Sequence, residues 1–444
     1  MAKKGNSYLC NNCGEVYATW SGKCNNCGEW NSLAEFHEAK LSSGKRSAEK
    51  LAPIAVANAG DNRQERIKTG VDALDVVFGG GIVAASVTLL AGQPGIGKST
   101  ILLQIAASVA KKHPVLYVSA EESVEQVGLR AQRLAVEASN LMLVSSTSSD
   151  DIANEIHTKK YKLVIVDSIQ TVQCRDVASA SGTISQITNS TSMLIEAAKK
   201  SGTAVLLVGH VTKEGNIAGP KLLEHVVDVV LQLEGDRFGG YKVLRAAKNR
   251  YGATDETAIL EMKDGGITVV DNPSQVMLAE RHITDGSVVL VSMEGTRPIL
   301  VEVQALVNTS SYGYPKRTAS GFDLNRLNVL IAVLEKRTKL NLADKDVFVN
   351  IVGGFKLQDP AADLAVCMAV GSAAKGLLLK KNLAVFGEVG LSGEVRHAQF
   401  GSRRVQEAVK LGYDVIGPKS REKIKGLNSV EDVKTALNNY LEAK

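Results

Sequence analysis

Short apolar runs alternate with amphipathic segments through the middle of the chain. Each run is apolar over four to six residues, and the stretches between the runs carry apolar residues at helical spacing. Strands that are apolar on both faces and separated by helices are typical of a parallel sheet covered by helices on both sides. The runs occupy residues 86–90, 114–119, 141–144, 163–167 and 204–208. This pattern predicts an α/β domain.

Beyond residue 226 the pattern changes, because strands follow one another without long helices between them. Residues 226–233, 241–246, 258–262 and 267–270 predict an antiparallel extension of the sheet. From about residue 272, strands and helices are mixed in a different order, which indicates a further α+β domain. We therefore expect four segments, and their bounds are 1–37, 38–64, 65–271 and 272–444.

The second segment, residues 38–64, is rich in Lys, Ser, Ala and Gly without a sustained period, and it reads as a flexible linker. The full chain of 444 residues is 44% hydrophobic and 22% charged, which is ordinary for a globular protein. A net charge of +5 permits nucleic-acid binding through local patches without requiring it. No run approaches the ~18 apolar residues of a membrane span, so we expect a cytoplasmic protein without membrane contact.

Four of the six cysteines lie in the first thirty residues as two C-x2-C pairs. Two matched pairs favour a structural zinc site over a redox dithiol. So few apolar residues lie between Tyr8 and Leu33 that zinc should supply most of the folding free energy of this module. Nearby Trp20 and Trp30 either cover the zinc site, which we favour, or contact a partner. The paired cysteines are Cys10 with Cys13 and Cys24 with Cys27.

A glycine-rich turn joins the first apolar run to a helical pattern. Gly92, Gly97, Lys98 and Ser99 satisfy the G-x-x-x-x-G-K-[ST] spacing of a phosphate-binding loop, which we favour over a purely structural turn. In such a loop backbone N–H groups surround the phosphates, the lysine reaches the β and γ oxygens, and the serine hydroxyl holds Mg²⁺. The sequence thus predicts ATP and Mg²⁺ as ligands. The expected nucleotide-binding residues are Gly92, Gln93, Pro94, Gly95, Ile96, Gly97, Lys98, Ser99 and Thr100.

Carboxylates distinguish the classes of P-loop enzyme. Asp167 closes a buried strand and is the expected second ligand of Mg²⁺, but the next residue is Ser168, whereas AAA-type enzymes have their catalytic glutamate there. RecA-like enzymes carry that glutamate at the end of the strand beside the P-loop strand, which we take to be the run 114–119. We therefore assign Glu121 as the general base, with Glu122 as the alternative, and solvated acids at a helix N-terminus as the competing interpretation.

The order of these features resembles the RadA (Sms) family of bacterial DNA repair proteins. The likeness covers nearly the whole chain: a four-cysteine module, a RecA-like core, the sequence Lys248-Asn249-Arg250-Tyr251-Gly252 and a Lon-protease-like tail. That pentapeptide differs from the family's K-N-R-F-G motif only by Tyr for Phe. Two loop departures, Ala84-Ala85-Ser86 and Ala120, stand where relatives often have Pro-Gly-Ser and Gly. Neither removes a group that does chemistry.

On an extended strand Lys248 and Arg250 project to the same side. The resemblance implies that they reach the nucleotide of a neighbouring subunit and stabilise the transferring phosphoryl group, as an arginine finger does. A head-to-tail contact of this kind closes into a ring, which we expect to be hexameric. It also implies single-stranded and branched DNA as partners. A recombinase or a replicative helicase is a candidate protein partner.

Two basic loops are candidate DNA contacts. The segment 210–221 follows a buried strand and carries Lys213 and Lys221, which would neutralise phosphates in a ring channel. A second loop combines Lys316 and Arg317 with Tyr312 and Tyr314. Plain solvated loops are the alternative for both. His210, which ends the strand before the first loop, is a weaker candidate for sensing the γ-phosphate.

The tail from residue 272 resembles the Lon protease domain without its chemistry. Lon requires a serine nucleophile and a lysine that takes its proton. Here Ala361 stands at the serine position and Arg403 at about that of the lysine, and arginine stays protonated near neutral pH. We expect a proteolytically inactive scaffold. The resulting hypothesis is a DNA-dependent ATPase of recombinational repair; the alternatives are an ATP-binding scaffold with slow turnover and, less favoured, an ATP-dependent protease.

Overall fold

The computed structural model describes residues 7–10, 15–26, 28–36, 65–210, 222–235, 241–310, 314–353, 356–420 and 423–442. The predicted linker, residues 38–64, lies outside these ranges. The chain divides into two units by its internal contacts. The first comprises Met1–Glu234, Leu244–Thr254 and Lys263–Ile267, and the second comprises Gly235–Val243, Asp255–Met262 and Thr268–Lys444.

The N-terminal module is a small antiparallel sheet with the strand order β2-β1-β3. Its strands are β1 (Ser7–Cys10), β2 (Val16–Tyr17) and β3 (Leu33–Phe36). Cys10, Cys24 and Leu33 are buried together, and Tyr8 and Tyr17 pack against them. The apolar cluster is therefore very small, as the sequence predicts for a module that depends on metal.

The first unit continues with eight strands and six helices among its described residues. The strands are β4 (Arg66–Ile67), β5 (Ile82–Val83), β6 (Val87–Gly92), β7 (Val115–Ser119), β8 (Leu141–Ser145), β9 (Leu163–Asp167), β10 (Ala204–His210) and β11 (Val229–Glu234). The helices are α1 (Asp72–Val77), α2 (Lys98–Ala110), α3 (Val124–Arg133), α4 (Ser149–Thr158), α5 (Ile184–Ser201) and α6 (Leu222–Val226).

A parallel sheet organises this unit, in the order β11-β6-β10-β9-β7-β8. All residues of β6, β7 and β9 are buried, which explains why these strands read as continuous apolar runs. The prediction of a parallel α/β sheet is thus confirmed. Beyond β11 the sheet continues through β12 (Tyr241–Asn249), β13 (Thr257–Lys263) and β14 (Gly266–Val269), whose residues are divided between the two units.

Two helices of this unit have residues at their ends that satisfy free backbone groups. Ser123 and Gln126 form a capping box at the start of α3. Thr183 caps α5, which ends at Gly202 with a φ of 75°, a left-handed conformation that favours glycine. Within the described part of the chain, none of the helices is long and apolar enough to cross a lipid bilayer.

The second unit contains a mixed sheet with the order β17-β18-β16-β15-β20-β23-β24. Its described strands are β15 (Ser287–Glu294), β16 (Arg297–Thr309), β17 (Arg317–Ser320), β18 (Lys345–Ile351), β19 (Leu378–Leu379), β20 (Leu383–Val385), β21 (Glu388–Val389), β22 (Val395–Arg396), β23 (Asp414–Pro418), β24 (Leu427–Val430) and β25 (Leu441–Glu442). Its helices are α7 (Pro273–Leu278), α8 (Leu324–Thr338), α9 (Asp363–Lys375), α10 (Gly401–Lys410) and α11 (Val433–Tyr440), and Pro360–Ala362 form a 3-10 turn.

The core of the second unit lies between this sheet and the helix α9. Ten of the thirteen residues of α9 are buried, and apolar residues of β15, β16 and α8 belong to the same cluster. The 3-10 turn Pro360–Ala362 leads directly into α9. The rest of the expected α+β pattern is present.

Candidate active site

The glycine turn between β6 and α2 has the conformation of a phosphate-binding loop. Gly95 and Gly97 adopt φ values of 78° and 113°, which a residue with a Cβ rarely tolerates. At Gly92 an added Cβ would lie 2.8 Å from the carbonyl oxygen of Leu233, so that position also requires glycine. The loop ends at the N-terminus of the thirteen-residue helix α2, where free N–H groups and the helix dipole favour an anion. The turn and the start of α2 therefore fit a nucleotide phosphate.

Lys98 is buried at the base of this loop, with only 5% of its surface exposed. Its ammonium group donates to the carbonyl oxygens of Gly92 at 2.9 Å and Gln93 at 3.0 Å. Burial lowers the pKa of Lys98 to about 8, although the charges of Asp167 and Glu121 act in the opposite direction. Three of the predicted catalytic residues are therefore close enough to influence one another.

Asp167 ends β9, which is separated from the P-loop strand β6 only by β10. The carboxylate is 8% exposed, and it accepts a 2.6 Å hydrogen bond from the hydroxyl of Tyr117. Burial raises the pKa of Tyr117 well above its usual value, and the charge of Asp167 adds to that effect. Ser99, the other predicted magnesium ligand, is partly exposed in the first turn of α2. Two oxygen ligands at this edge suit Mg²⁺.

The strand that leads to Glu121 does not lie beside the P-loop strand. β7 pairs with β9 and β8, whereas β6 pairs with β10 and β11, so the expected adjacency is wrong. Glu121 still faces the site, because its carboxylate accepts a hydrogen bond from Ser168, the residue after Asp167. Because β7 pairs with β9, which ends at Asp167, Glu121 lies at the same edge of the sheet as Asp167.

Glu122 has different partners. Its carboxylate forms a 2.6 Å ion pair with Arg130 of α3. Its backbone N–H and carbonyl oxygen both bond to the hydroxyl of Ser119. These contacts turn Glu122 toward its own helix, so the geometry favours Glu121 as the residue that faces a nucleotide.

His210 lies at the same edge, since it is the register partner of Gly92 in the parallel pair β10 and β6. Burial lowers its pKa, and the positive charge of Lys98 lowers it further, while Glu121 and Asp167 oppose the shift. His210 is therefore within electrostatic range of the predicted catalytic residues. The loop that follows, with Lys213 and Lys221, lies outside the described residues.

Lys248 and Arg250 lie at the other edge of the sheet. The ammonium group of Lys248 donates to the carbonyl oxygens of Glu224, His225 and Val227, at 2.7 to 3.1 Å. Burial lowers the pKa of Lys248, and the nearby charge of Arg250 lowers it further. Both cations contact the segment 224–228, but Arg250 follows the end of β12 rather than lying on the strand.

The partner of Arg250 is Asp228, whose carboxylate is almost completely buried. Asp228 accepts from Arg250 at 3.2 Å, from Lys199 at 2.9 Å and from the N–H of Val87 at 3.0 Å. Val87 begins β6 and Gly92 ends it, so about 17 Å of extended strand separates this cluster from the P-loop, at about 3.3 Å per residue. An arginine side chain cannot cover that distance, and one chain does not bring Arg250 to its own Lys98.

Two matching turns hold the described cysteines of the N-terminal module. The N–H of Cys10 donates to the carbonyl oxygen of Glu15, and that of Cys24 donates to Glu29, both at 2.9 Å. Equivalent turns that bring two buried thiols into one cluster fit a zinc site. Cys13 and Cys27 lie outside the described residues, and the described residues alone contain no cluster of three potential ligands.

Both tryptophans of the module are largely exposed. Trp20 is 57% exposed and Trp30 is 67% exposed, whereas Tyr8 and Tyr17 pack against the cysteine cluster. That the tryptophans cover the metal site stays a prediction, because Cys13 and Cys27 lie outside the described residues. The pairing of β1 with β2 places Tyr8 opposite Tyr17, and both tyrosines lie beside the cysteine cluster.

The second predicted DNA loop is partly described. Tyr314 is 86% exposed, Lys316 is exposed and Arg317, the first residue of β17, is half-buried. The backbone N–H of Lys316 donates to Asp346 at 2.7 Å, which fixes the end of the loop. Tyr312 lies outside the described residues.

The two positions compared with the Lon serine and lysine contain no nucleophile. Ala361 is 2% exposed in the 3-10 turn before α9. Arg403, expected at about the lysine position, is exposed and stacks on Phe400. The neighbouring Arg404 is the buried residue, with its guanidinium 2.6 Å from Asp359.

Sequence reasoning missed two residues of the site, Tyr117 and Ser168. Tyr117 lies within a β-prone apolar run, where a tyrosine is expected for packing alone. The signal in the sequence was the hydroxyl group of Tyr117 in a strand predicted to be fully buried. A buried hydroxyl group needs a hydrogen-bond partner, so it points to a polar neighbour. Ser168 was noted as the absence of a glutamate rather than as a hydrogen-bond donor.

Together, the P-loop, the buried aspartate and the order of the parallel strands define an ATPase of the RecA-like α/β class, preceded by a zinc ribbon. Residues 58–216 match a family described as an AAA domain, and residues 8–35 match one described as a rubredoxin metal binding domain.

Curated relatives extend this likeness over nearly the full length. The DNA repair protein RadA of Halalkalibacterium halodurans is 45% identical over 93% of this chain and 92% of its own. That of Aquifex aeolicus is 44% identical over 95% of each chain, and that of Bacillus subtilis is 42% identical over 98% of this chain and all of its own. The chain belongs to the RadA family of DNA repair proteins. Among solved structures, the RadB recombinase is 23% identical over 46% of this chain and its own full length, with a TM-score of 0.38.

Proposed function

We propose that this member of the family is a DNA-dependent ATPase of recombinational repair. It would form a ring that moves along single-stranded DNA and processes or branch-migrates recombination intermediates. Its substrates would be ATP and single-stranded or branched DNA, with a recombinase or replicative helicase as candidate partner.

Within one subunit, the proposed roles follow the contacts at the carboxyl edge of the sheet. Lys98 binds the β- and γ-phosphates, exchanging its present carbonyl partners for phosphate oxygens. Ser99 and Asp167 would hold Mg²⁺, which neutralises phosphate charge when bound. Glu121 orients and deprotonates the attacking water, and its hydrogen bond to Ser168 supports that position.

A single observation carries the assembly part of the proposal: Lys248 and Arg250 lie at the edge of the sheet opposite their own P-loop. Cations at that edge can act on a nucleotide only if it belongs to another copy of the chain. We therefore assign them to the site of a neighbouring subunit, in a head-to-tail arrangement that closes as a ring, with a hexamer expected.

DNA contacts are proposed for the two basic loops, through Lys213 and Lys221 in the first and Lys316 and Arg317 in the second. The exposure of Lys316 and Tyr314 supports contact with a polyanion and its bases. We propose the Lon-like region, residues 272–444, as an inactive scaffold for the ring, because Ala361 supplies no nucleophile. Residues 65–271 would form the ATPase domain and 1–37 the zinc module.

The test is the rate of ATP hydrolysis, with and without single-stranded DNA, measured together with sedimentation. We expect DNA to stimulate hydrolysis and nucleotide to favour a ring. A slow rate that ignores DNA would favour the alternative of an ATP-binding scaffold. ATP-dependent digestion of casein would favour the protease, which the alanine at position 361 argues against.

A further inference from the structure

Tyr117 is a buried polar residue at the centre of β7 with a partner in the proposed magnesium site. It is 1% exposed, and its hydroxyl donates to Oδ2 of Asp167 at 2.6 Å. The parallel register pairs Tyr117 with Ile165 and Ser119 with Asp167. Tyr117 and Asp167 therefore lie on the same face of adjacent strands, two residues apart, where a long side chain reaches its diagonal neighbour.

That face of the sheet is covered by the P-loop helix. Helix α2 packs against β7 and β9, while Leu116 and Val118, which alternate with Tyr117, belong to the core on the other face. The aromatic ring of Tyr117 thus lies below the helix whose first turn contains Lys98 and Ser99. The charge of Asp167 acts on Lys98 in that first turn.

Packing alone does not require the hydroxyl group. Leu116 and Val118, the neighbours of Tyr117 in β7, are aliphatic, and a phenylalanine ring would fill nearly the same volume at 117. A buried hydroxyl costs free energy unless it is hydrogen-bonded, and a bond to a charged carboxylate compensates for that cost. The bond also removes the freedom of the Asp167 carboxylate to rotate about its terminal torsion, which is otherwise soft.

We propose that Tyr117 is a positioning residue for magnesium: its hydroxyl holds one carboxylate oxygen of Asp167 and leaves the other for the metal ion. This inference deepens the proposed ATPase function and rests on it. Residues that hydrogen-bond a metal ligand fix its orientation, and their loss typically weakens metal binding by roughly 10- to 100-fold.

The test compares Tyr117→Phe with wild type in the full-length protein. Mn²⁺ is titrated, with electron paramagnetic resonance detection of the free ion, in the presence of ATPγS. We expect the Mn²⁺ dissociation constant to rise about tenfold, the lower end of the effect of such residues. The affinity for a fluorescent ATP analogue in excess EDTA should stay unchanged. Tyr161→Phe is the matched control, because Tyr161 donates to Glu155 at 2.9 Å, away from the P-loop.

Equal Mn²⁺ affinity in Tyr117→Phe and wild type would overturn the proposal. An equal loss of nucleotide affinity with and without metal would also overturn it, since a purely structural role predicts that result. Failure of the ATPase function itself looks different: a sample with wild-type protein would then bind no more Mn²⁺ than the same concentration of ATPγS binds without protein, and both proposals would fall together.

Discussion

Arg250 gives the sharpest test of a site shared between subunits. The variant Arg250→Ala keeps its own P-loop but cannot supply the cation, and Lys98→Ala lacks a working P-loop but can supply it. Loss of an arginine finger typically costs about 10³-fold or more in turnover, and Lys98→Ala loses the ammonium group that binds the phosphates. Each variant alone should therefore be nearly inactive. Both should still assemble and bind DNA.

Mixing the two variants should restore hydrolysis. In rings assembled at random from equal amounts, half of the interfaces present the intact P-loop of Arg250→Ala. Half of those face a Lys98→Ala neighbour that carries Arg250, so about one quarter of the interfaces are complete. If interfaces act independently, the mixture reaches about a quarter of the wild-type rate. The assay is phosphate release at fixed total protein with saturating single-stranded DNA.

Lys199→Ala is the matched control. Lys199 and Arg250 bind opposite oxygens of the same carboxylate of Asp228, at 2.9 and 3.2 Å. Removing Lys199 takes a cation from the same cluster but leaves the proposed finger, so hydrolysis should continue without mixing. A mixture no more active than the sum of its two components would refute the shared site. Normal turnover by Arg250→Ala alone would refute the role of Arg250.

Three further predictions concern the other groups. The pKa of Lys98 is about 8 without nucleotide, and a nearby phosphate favours its charged form. ATP binding at pH 8 should therefore take up roughly half a proton. Calorimetry in buffers of different ionisation enthalpy measures this uptake, and Lys98→Met should abolish it. Glu121→Gln should bind ATP but lose at least about 10²-fold in hydrolysis, whereas Glu122→Gln should hydrolyse it; the opposite pattern would exchange their roles. Chelation of zinc should change the fluorescence of Trp20 and Trp30, the only tryptophans of the chain, while the far-ultraviolet circular dichroism of the remaining domains persists.

Local patterns were enough to predict the strands and the phosphate-binding loop. The continuous apolar runs of β6 and β9 and the glycine spacing depend on neighbours in sequence, and the structure has them where they are expected. The position of β7 was mispredicted because chain order does not determine sheet order. Its crossovers insert β10 and β9 between β6 and β7, and nothing in residues 115–119 records that arrangement.

Side-chain direction was the other limit. Arg403 and Arg404 are adjacent in α10, where successive residues point about 100° apart, so one faces solvent and the other the core. A motif that fixes a position only to within one residue cannot distinguish Arg403 from Arg404. Tyr117 was missed for a related reason, since the burial pattern of a strand shows that a side chain is enclosed but not which atom its polar group meets.

Strand polarity explains why the two halves of the proposed site lie so far apart. Parallel strands all begin at one edge of the sheet and end at the other, so the loop after β6 and the segment before β11 must lie at opposite edges. Arg250 bonds to Asp228 in that segment and is thereby held at the amino edge. A short loop movement cannot bridge a strand length of about 17 Å. If Arg250 acts in hydrolysis, turnover per chain must therefore rise with protein concentration as copies associate, whereas nucleotide binding, which uses one edge of one chain, need not.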